Sequence, residues 1–403
     1  MTPESWQKNL YAIFVAEFIV MMGFSFVQPF MPLFIQELGN FTGQQAAFWA
    51  GIAISTSGAA MFFISPLWGI IADRWGRKPM VLRAMFGASI VYALIGLVPN
   101  VYYIIALHFI QGLFSGTIAA VSALVAASAP RTKMPFAMGL LTVAIFAGSS
   151  IGPLVGGLVA DSVGYRTAFF ITGGLLFSGG LTVFFFVKEK FKRPVKEQST
   201  SLSSLLRLAK SREMLPLLLI TCALRAGPRM MEPITSLFIR ELNPEGMAAT
   251  ASGLAFGLMG MVAAISALVT GRLGEHITLK KILVIFSLGA SLLYLPPIWA
   301  RTVTQLVIFT TLTGLLTGGL VASSNALVGL SVPRDRQGIA YGLASSAQAL
   351  GHGLGPLIGG SLAPLMGFRP VFGVAGGFFV LISVAVGKLL PKRQKIAYNQ
   401  ESE

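Results

Sequence analysis

Long apolar runs make up most of this 403-residue chain, and its chemistry must lie with the few ionisable residues inside them. An ionisable side chain in hydrocarbon is costly and marks an ion, proton or substrate path by default. Glu17 lies in the first run, about 10 Å from its start at 1.5 Å of rise per residue. Read as a helix, Glu17, Met21, Phe24 and Gln28 fall at i, i+4, i+7 and i+11, on one face. The seventh run carries Arg225, Arg229, Glu232 and Ser236 at the same spacing. A carboxyl in an apolar chamber can load and release protons near neutral pH, which makes Glu17 a proton-site candidate. The alternative is that it neutralises Arg225 or Arg229, because buried charges need partners. Arg229 and Glu232, at i and i+3, can pair with each other. Arg225 is then left for Glu17 or for an anionic substrate, and two arginines suit strictly cationic substrates poorly.

Other polar residues divide between a functional and a packing reading. His108, Glu232 and His352 are proton-relay candidates, although a membrane histidine is more often a hydrogen-bonded packing residue. Asn325 and Gln348 are substrate-cavity contacts or interhelical hydrogen bonds. Phe24, Phe30, Phe114 and Phe146 line an aromatic cavity or face lipid. His276 falls in a link and carries no role. No Gly-x-x-x-x-Gly-Lys-Ser/Thr phosphate loop is present, so ATP is not the expected energy source. Neither a paired-histidine nor a Ser/His/Asp arrangement suggests an enzyme. The single Cys222 excludes an intrachain disulfide or a Cys-cluster metal site, and no cofactor or metal is expected.

These residues need a frame, and composition supplies it. The chain is 54% apolar and 11% charged, against about 25% charged for a soluble domain. Its 45 Gly and 21 Pro fit membrane helices better than loops. Twelve runs are long enough to cross a bilayer: roughly 10–35, 48–71, 79–99, 101–128, 136–160, 167–188, 213–239, 248–271, 281–300, 303–330, 338–364 and 368–390. The net charge of +15 does not point to nucleic acid, because the basic residues sit between the runs. With the N-terminus inside, 24 of the 30 Lys and Arg fall in or beside cytoplasmic segments. Only Arg166, Arg240, Arg301 and Arg369 fall outside, which places both termini in the cytoplasm. The expected organisation is a six-helix bundle over 1–188, a basic, Ser-rich cytoplasmic linker over 189–212, a second bundle over 213–391 and a tail over 392–403.

The two halves are copies at a nearly constant offset. GYRTAFFITGG (164–174) matches GFRPVFGVAGG (367–377), and GSSIGPLVGG (148–157) matches GHGLGPLIGG (351–360), both 203 residues apart. PLFIQEL (32–38) matches SLFIREL (236–242) at 204, and GIIADRWGRK (69–78) has a worn copy at 271–280. The 204 offset maps Met21 onto Arg225 and Gln28 onto Glu232, so the two charged stripes should face one central cavity from opposite halves.

Two stretches carry further chemistry. In 69–78, Gly69 and Gly76 permit a tight turn and close helix approach, Arg77 and Lys78 anchor the loop inside, and Asp73 can bond Arg77 and face the start of span eleven. On span five, Gly148, Gly152, Pro153, Gly156 and Gly157 let helices touch closely around a proline bend. The first stretch, with Gly69, Asp73, Arg74, Gly76, Arg77 and Lys78, resembles the loop signature of the major facilitator superfamily. The span-five motif and PFMPLF (29–34) resemble the drug:proton antiporter branch of that family, the bacterial multidrug exporters. The resemblance covers essentially the whole chain. It departs at span four, where His108 precedes Gln111-Gly112 at the position of an arginine associated with proton coupling.

The resemblance implies an all-α membrane protein with the major-facilitator fold, twelve transmembrane helices in two pseudo-symmetric six-helix bundles. It also implies that the 69–78 loop latches the cytoplasmic side, and that alternating access exchanges small hydrophobic compounds for protons. The implied setting is a bacterial inner membrane, with a hydrophobic substrate, protons and lipid as partners and a monomer as the working unit. The rivals are a metabolite importer, a lipid or glycolipid flippase and a non-transporting scaffold or sensor.

Overall fold

The computed structural model describes residues 3–189, 207–332 and 337–390. Among these residues there are fifteen α-helices, two short 3₁₀ turns and no strand. In the first bundle, α1 (Pro3–Phe26) and α2 (Met31–Gly39) share the first crossing. Next come α3 (Gly43–Trp75) and α4 (Arg77–Ile95). The fourth crossing is split into α5 (Val101–Phe114) and α6 (Thr117–Ser128), and α7 (Met134–Val163) and α8 (Tyr165–Phe186) complete the bundle. The second bundle opens with a split crossing, α9 (Met214–Arg229) and α10 (Glu232–Leu242). It continues through α11 (Ala248–His276), α12 (Leu279–Leu293), α13 (Val303–Leu330), α14 (Gln337–Met366) and α15 (Phe368–Leu389). The expected linker core at 190–206 and the tail beyond 390 lie outside the described residues.

Eleven crossings are long and apolar enough to span a bilayer. The twelfth, α14, has 30 residues, but Gln348, His352 and seven glycines dilute its apolar character. It lies against α3 rather than lipid along much of its length. The twelve runs read from the sequence therefore correspond one to one with the crossings.

The repeat is legible in the hydrogen bonds. Arg166 donates to the carbonyls of Gly96 (2.9 Å) and Val98 (3.0 Å), and Arg369, 203 residues on, donates to that of Ile298 (2.8 Å). Lys78 donates to the carbonyls of Val187 and Phe184, and Lys280 to that of Leu390.

Prolines and one glycine set the helix breaks. A residue before proline is pushed out of the α region, and proline itself donates no hydrogen bond. Thus α1 ends at Phe26, ahead of Pro29, and resumes with Pro32 in the first turn of α2. The seventh crossing breaks at 230–231, between Pro228 and Pro233. This corrects one expectation: Gln28 stands in the turn after α1 and does not extend the helical stripe of Glu17, Met21 and Phe24. The fourth crossing breaks at Gly116, whose φ of 107° suits only glycine at low cost. Its counterpart at the 203 offset, Gly319, lies inside the unbroken α13.

Among the described residues the bundles meet from one end to about the middle of the crossings. Call the end carrying 69–78 and Lys188 the basic end. Near the middle of α3 and α14 a Cβ on Gly58 would stand 2.6 Å from the Gly353 nitrogen, and toward the far end one on Gly253 would stand 2.2 Å from the Pro153 carbonyl. Ser55 donates to the Gly353 carbonyl (2.6 Å), Thr250 donates through N and Oγ1 to Asp161 (2.7 Å each), and Arg240 donates to Tyr165 (2.8 Å). Toward the basic end, a Cβ on Gly139, Gly271 or Gly342 would meet nothing within 4 Å. Among the described residues no hydrogen bond joins the bundles there. The central space is closed at the far end and splayed at the basic end.

This closure has a direct test. In a Cys222→Ser background with a protease site placed between 190 and 206, Asp161→Cys with Thr250→Cys holds the two halves together after oxidation and cleavage. Adding Gly58→Val, an overpacking of about 1–3 kcal/mol, lowers the cross-linked fraction several-fold. An unchanged yield in that variant contradicts the close α3–α14 approach.

Candidate functional site

Each bundle presents one wall to the central space. On the first, Glu17 is completely buried and neither carboxylate oxygen has a hydrogen-bond partner among the described residues. Its helix is clamped on both sides. α7 approaches so closely that a Cβ on Gly148 or Gly152 would stand 2.5 Å from the carbonyl of Phe18 or Met22. On the other side, a Cβ on Gly179 of α8 would touch Val20. Met21 is buried, and its Cβ lies 2.9 Å from where a Gly148 Cβ would sit. Phe24 meets Tyr92 edge-on at 6.1 Å between ring centroids, and Tyr92 meets His108 at 6.3 Å. His108 is buried with its Nε2 unpartnered, and no hydrogen bond links it to Glu17. Gln28 is half-buried in the turn between α1 and α2.

The second wall is polar and connected. Arg225 donates through Nη2 to Gln348 Oε1 (2.8 Å), and Gln348 donates through Nε2 to Asn325 Oδ1 (3.2 Å). Arg229 pairs with Glu232 at 2.7 Å, its Nη1 reaching both carboxylate oxygens. Of the readings open from the sequence, the i, i+3 pair forms, and Arg225 turns to a neutral amide rather than to Glu17. Asn325 and Gln348 form an interhelical hydrogen bond and also hold the arginine.

The two glycine–proline motifs build both walls in the same way. Substituted Cβ atoms on Gly351 and Gly355 would stand 2.4 Å from the carbonyls of Cys222 and Ala226, as those on Gly148 and Gly152 do from α1. One turn on, Gly156 abuts the Phe26 carbonyl and Gly359 that of Met230, at the helix breaks. The next glycines reach the other bundle, Gly157 to Ala249 and Gly360 to Ala47. Pro153 lies within α7 in the same stretch.

A family model described as Major Facilitator Superfamily matches residues 13–277 and 229–403. The chain belongs to the major facilitator superfamily. Among its relatives, the multi-drug resistance efflux pump PmrA of Streptococcus pneumoniae is 33% identical over 373 residues, covering 92% of this chain and 93% of PmrA. The multidrug resistance protein MdtG of Salmonella arizonae is also 33% identical, over 396 residues that cover 97% and 98% of the two chains. The crystal structure of the nucleoside transporter NupG superposes with a TM-score of 0.77 at 14% identity, over 94% of this chain and 98% of that one, which bears on the fold alone.

In this major-facilitator chain the 69–78 signature folds as expected at its glycine. Gly76 has φ 99° and joins α3 directly to α4. The side chain of Asp73 and the segment 333–336 before α14 lie outside the described residues, as does the contact expected between Asp73 and span eleven. Gly69 and Arg74 lie on the last turns of α3, with Arg74 exposed. Glu189, which follows α8, was not anticipated. Its two oxygens accept the backbone N–H groups of Arg77 (2.9 Å) and Lys78 (2.8 Å), free donors at the start of α4. The signal was available as an acidic residue between Lys188 and Lys190. Arg83 is one of the 24 basic residues counted on the cytoplasmic side. It stacks over Trp68 at 3.5 Å and donates to the Ser115 carbonyl (2.9 Å) beside the break in the fourth crossing. Trp68 donates to the Leu113 carbonyl (2.7 Å).

Glu189 acts as a capping group supplied from outside its helix. Replacing it by alanine should cost about 1 kcal/mol and lower the thermal unfolding midpoint in detergent, whereas Glu189→Gln should keep part of the loss. An unchanged midpoint in Glu189→Ala would show that the cap carries no stability.

Proposed function

We propose that this chain is a secondary active exporter of small hydrophobic compounds, driven by proton antiport through alternating access. The basic end is cytoplasmic, as the Lys/Arg bias requires. Both termini are then cytoplasmic, and the setting is a bacterial inner membrane like that of an efflux pump. The arrangement closed at the far end is the one that admits substrate from the cytoplasm. Rocking of the bundles opens the far end and closes the basic end at the 69–78 loop, with Asp73 turned toward the start of α14. PmrA is a multi-drug resistance efflux pump and MdtG a multidrug resistance protein, and their 33% identity to this chain supports export rather than import.

Glu17 carries the coupling in this reading. The supporting observation is its complete burial without a hydrogen-bond or ion-pair partner among the described residues. An ionised carboxylate so placed would bear an uncompensated desolvation cost, so this arrangement accommodates the neutral acid. Exposure to water in the other arrangement removes that cost and lets the proton exchange. Glu232 is a poorer candidate, since Arg229 already neutralises it. His108 ends an aromatic run rather than a proton path. Moving one charge through a potential of about 100 mV supplies about 2.3 kcal/mol toward export.

Purified protein in liposomes with an imposed pH gradient should accumulate a fluorescent hydrophobic dye, and Glu17→Gln should reduce that uptake to the level seen without a gradient. Dye movement indifferent to the gradient would reject antiport. Full gradient-driven uptake in Glu17→Gln would reject the assignment to this residue.

A further inference from the structure

The internal repeat permits a comparison that neither half permits alone: what each wall carries at equivalent positions. At the 204 offset Arg225 and Arg229 correspond to Met21 and Ser25, and at the 203 offset Gln348 and His352 correspond to Ile145 and Ser149. The scaffold around these positions is the same, with Gly148 and Gly152 clamping α1 as Gly351 and Gly355 clamp α9. Only the chemistry has diverged, toward apolar and hydroxyl side chains on one wall and toward cationic and amide side chains on the other.

The charge on the polar wall does not close. Arg229 is neutralised by Glu232, the one ion pair among the described residues. Arg225, half-buried, has a single hydrogen bond among the described residues, and its acceptor is the neutral amide of Gln348. Asn325 fixes that amide by accepting from its Nε2. Arg225 keeps unused N–H groups in a planar fork that matches a carboxylate. A cation held at membrane depth without an anion is unfavourable unless an anion arrives during the working cycle. Glu17, in the other bundle and without an ion-pair partner, is not that anion in this arrangement.

Resting on the exporter reading above, we infer that the chamber selects amphipathic compounds with a carboxylate on an apolar body. The carboxylate binds Arg225 in the place kept by Gln348 and Asn325, and the apolar body lies against the first wall at Phe24, which alone of its apolar stripe is not fully buried. Zwitterions belong to this class, and permanently cationic dyes do not.

The test uses a matched pair, pyrenebutyric acid and pyrenebutyramide, bound to the full-length purified protein. The wild-type protein should bind the acid about 10- to 100-fold more tightly than the amide, the range for one charge-assisted hydrogen-bonded contact. Arg225→Gln should abolish that preference, chiefly by weakening the binding of the acid. Gln348→Glu, which gives Arg225 a carboxylate partner of its own, should abolish it while keeping the guanidinium. Equal binding of acid and amide by the wild-type protein overturns the inference, as does an undiminished preference in both variants. Displacement of the acid by short-chain phosphatidylglycerol at concentrations below those of the acid itself also overturns it, and assigns the site to a lipid headgroup. The exporter reading fails separately: if a pH gradient drives uptake of neither compound, antiport is rejected while the carboxylate preference in binding stands.

Discussion

Inside a bilayer apolar side chains gain nothing by leaving lipid for one another, so helices must hold together by close backbone approach. That constraint organises this chain. The glycine doublets on α7 and α14 answer it twice within one turn. Gly156 and Gly359 press against the helix breaks of their own bundle, while Gly157 and Gly360 press against the other bundle. The first contact is internal to a six-helix unit, and the second lies on the surface between units. One helix segment thus serves as a structural element of its bundle and as a bearing surface for its neighbour.

The same constraint explains where polar atoms are allowed. Backbone groups freed at breaks must find partners, and side chains supply them. Arg83 serves the fourth crossing, Arg166 and Arg369 serve the ends of α4 and of the 3₁₀ turn after α12, and Glu189 serves the start of α4. Among the described residues Glu17 is the buried acid with no partner at either oxygen, and Arg225 has one hydrogen bond, to the amide of Gln348. The chamber has an apolar wall holding one isolated acid and a polar wall holding one under-compensated base, on two copies of a single scaffold.

Much of this was legible in the sequence. Twelve apolar runs, the basic-residue asymmetry and four repeat matches led to the crossings and the two bundles, and the i, i+3 spacing foretold the Arg229–Glu232 pair. Other features were not legible for identifiable reasons. Helical periodicity carried the Glu17 stripe through to Gln28, although Pro29 ends regular geometry first. Arg83 was indistinguishable by composition from the charges that set topology, because its place is defined by a tryptophan and a broken helix elsewhere in the chain. Glu189 read as part of a basic linker, and only its proximity to the 77–78 amides gives it a role. The Arg225–Gln348–Asn325 chain joins three crossings, and no spacing rule relates residues so far apart.

The break at Gly116 has no counterpart in α13, and this bears on how the molecule can move. On one side of the basic-end opening, the fourth crossing ends in a short separate rod, α6, joined to α5 through a left-handed glycine and steadied by Arg83. On the other side its partner is a single stiff rod of 28 residues. The entrance therefore has one rigid jamb and one articulated jamb. Duplication gave the two halves matching frames, but not matching joints: in the rocking proposed above, the jointed half is the one built to bend, and the mouth would narrow by leaning to one side rather than by closing like a pair of equal doors.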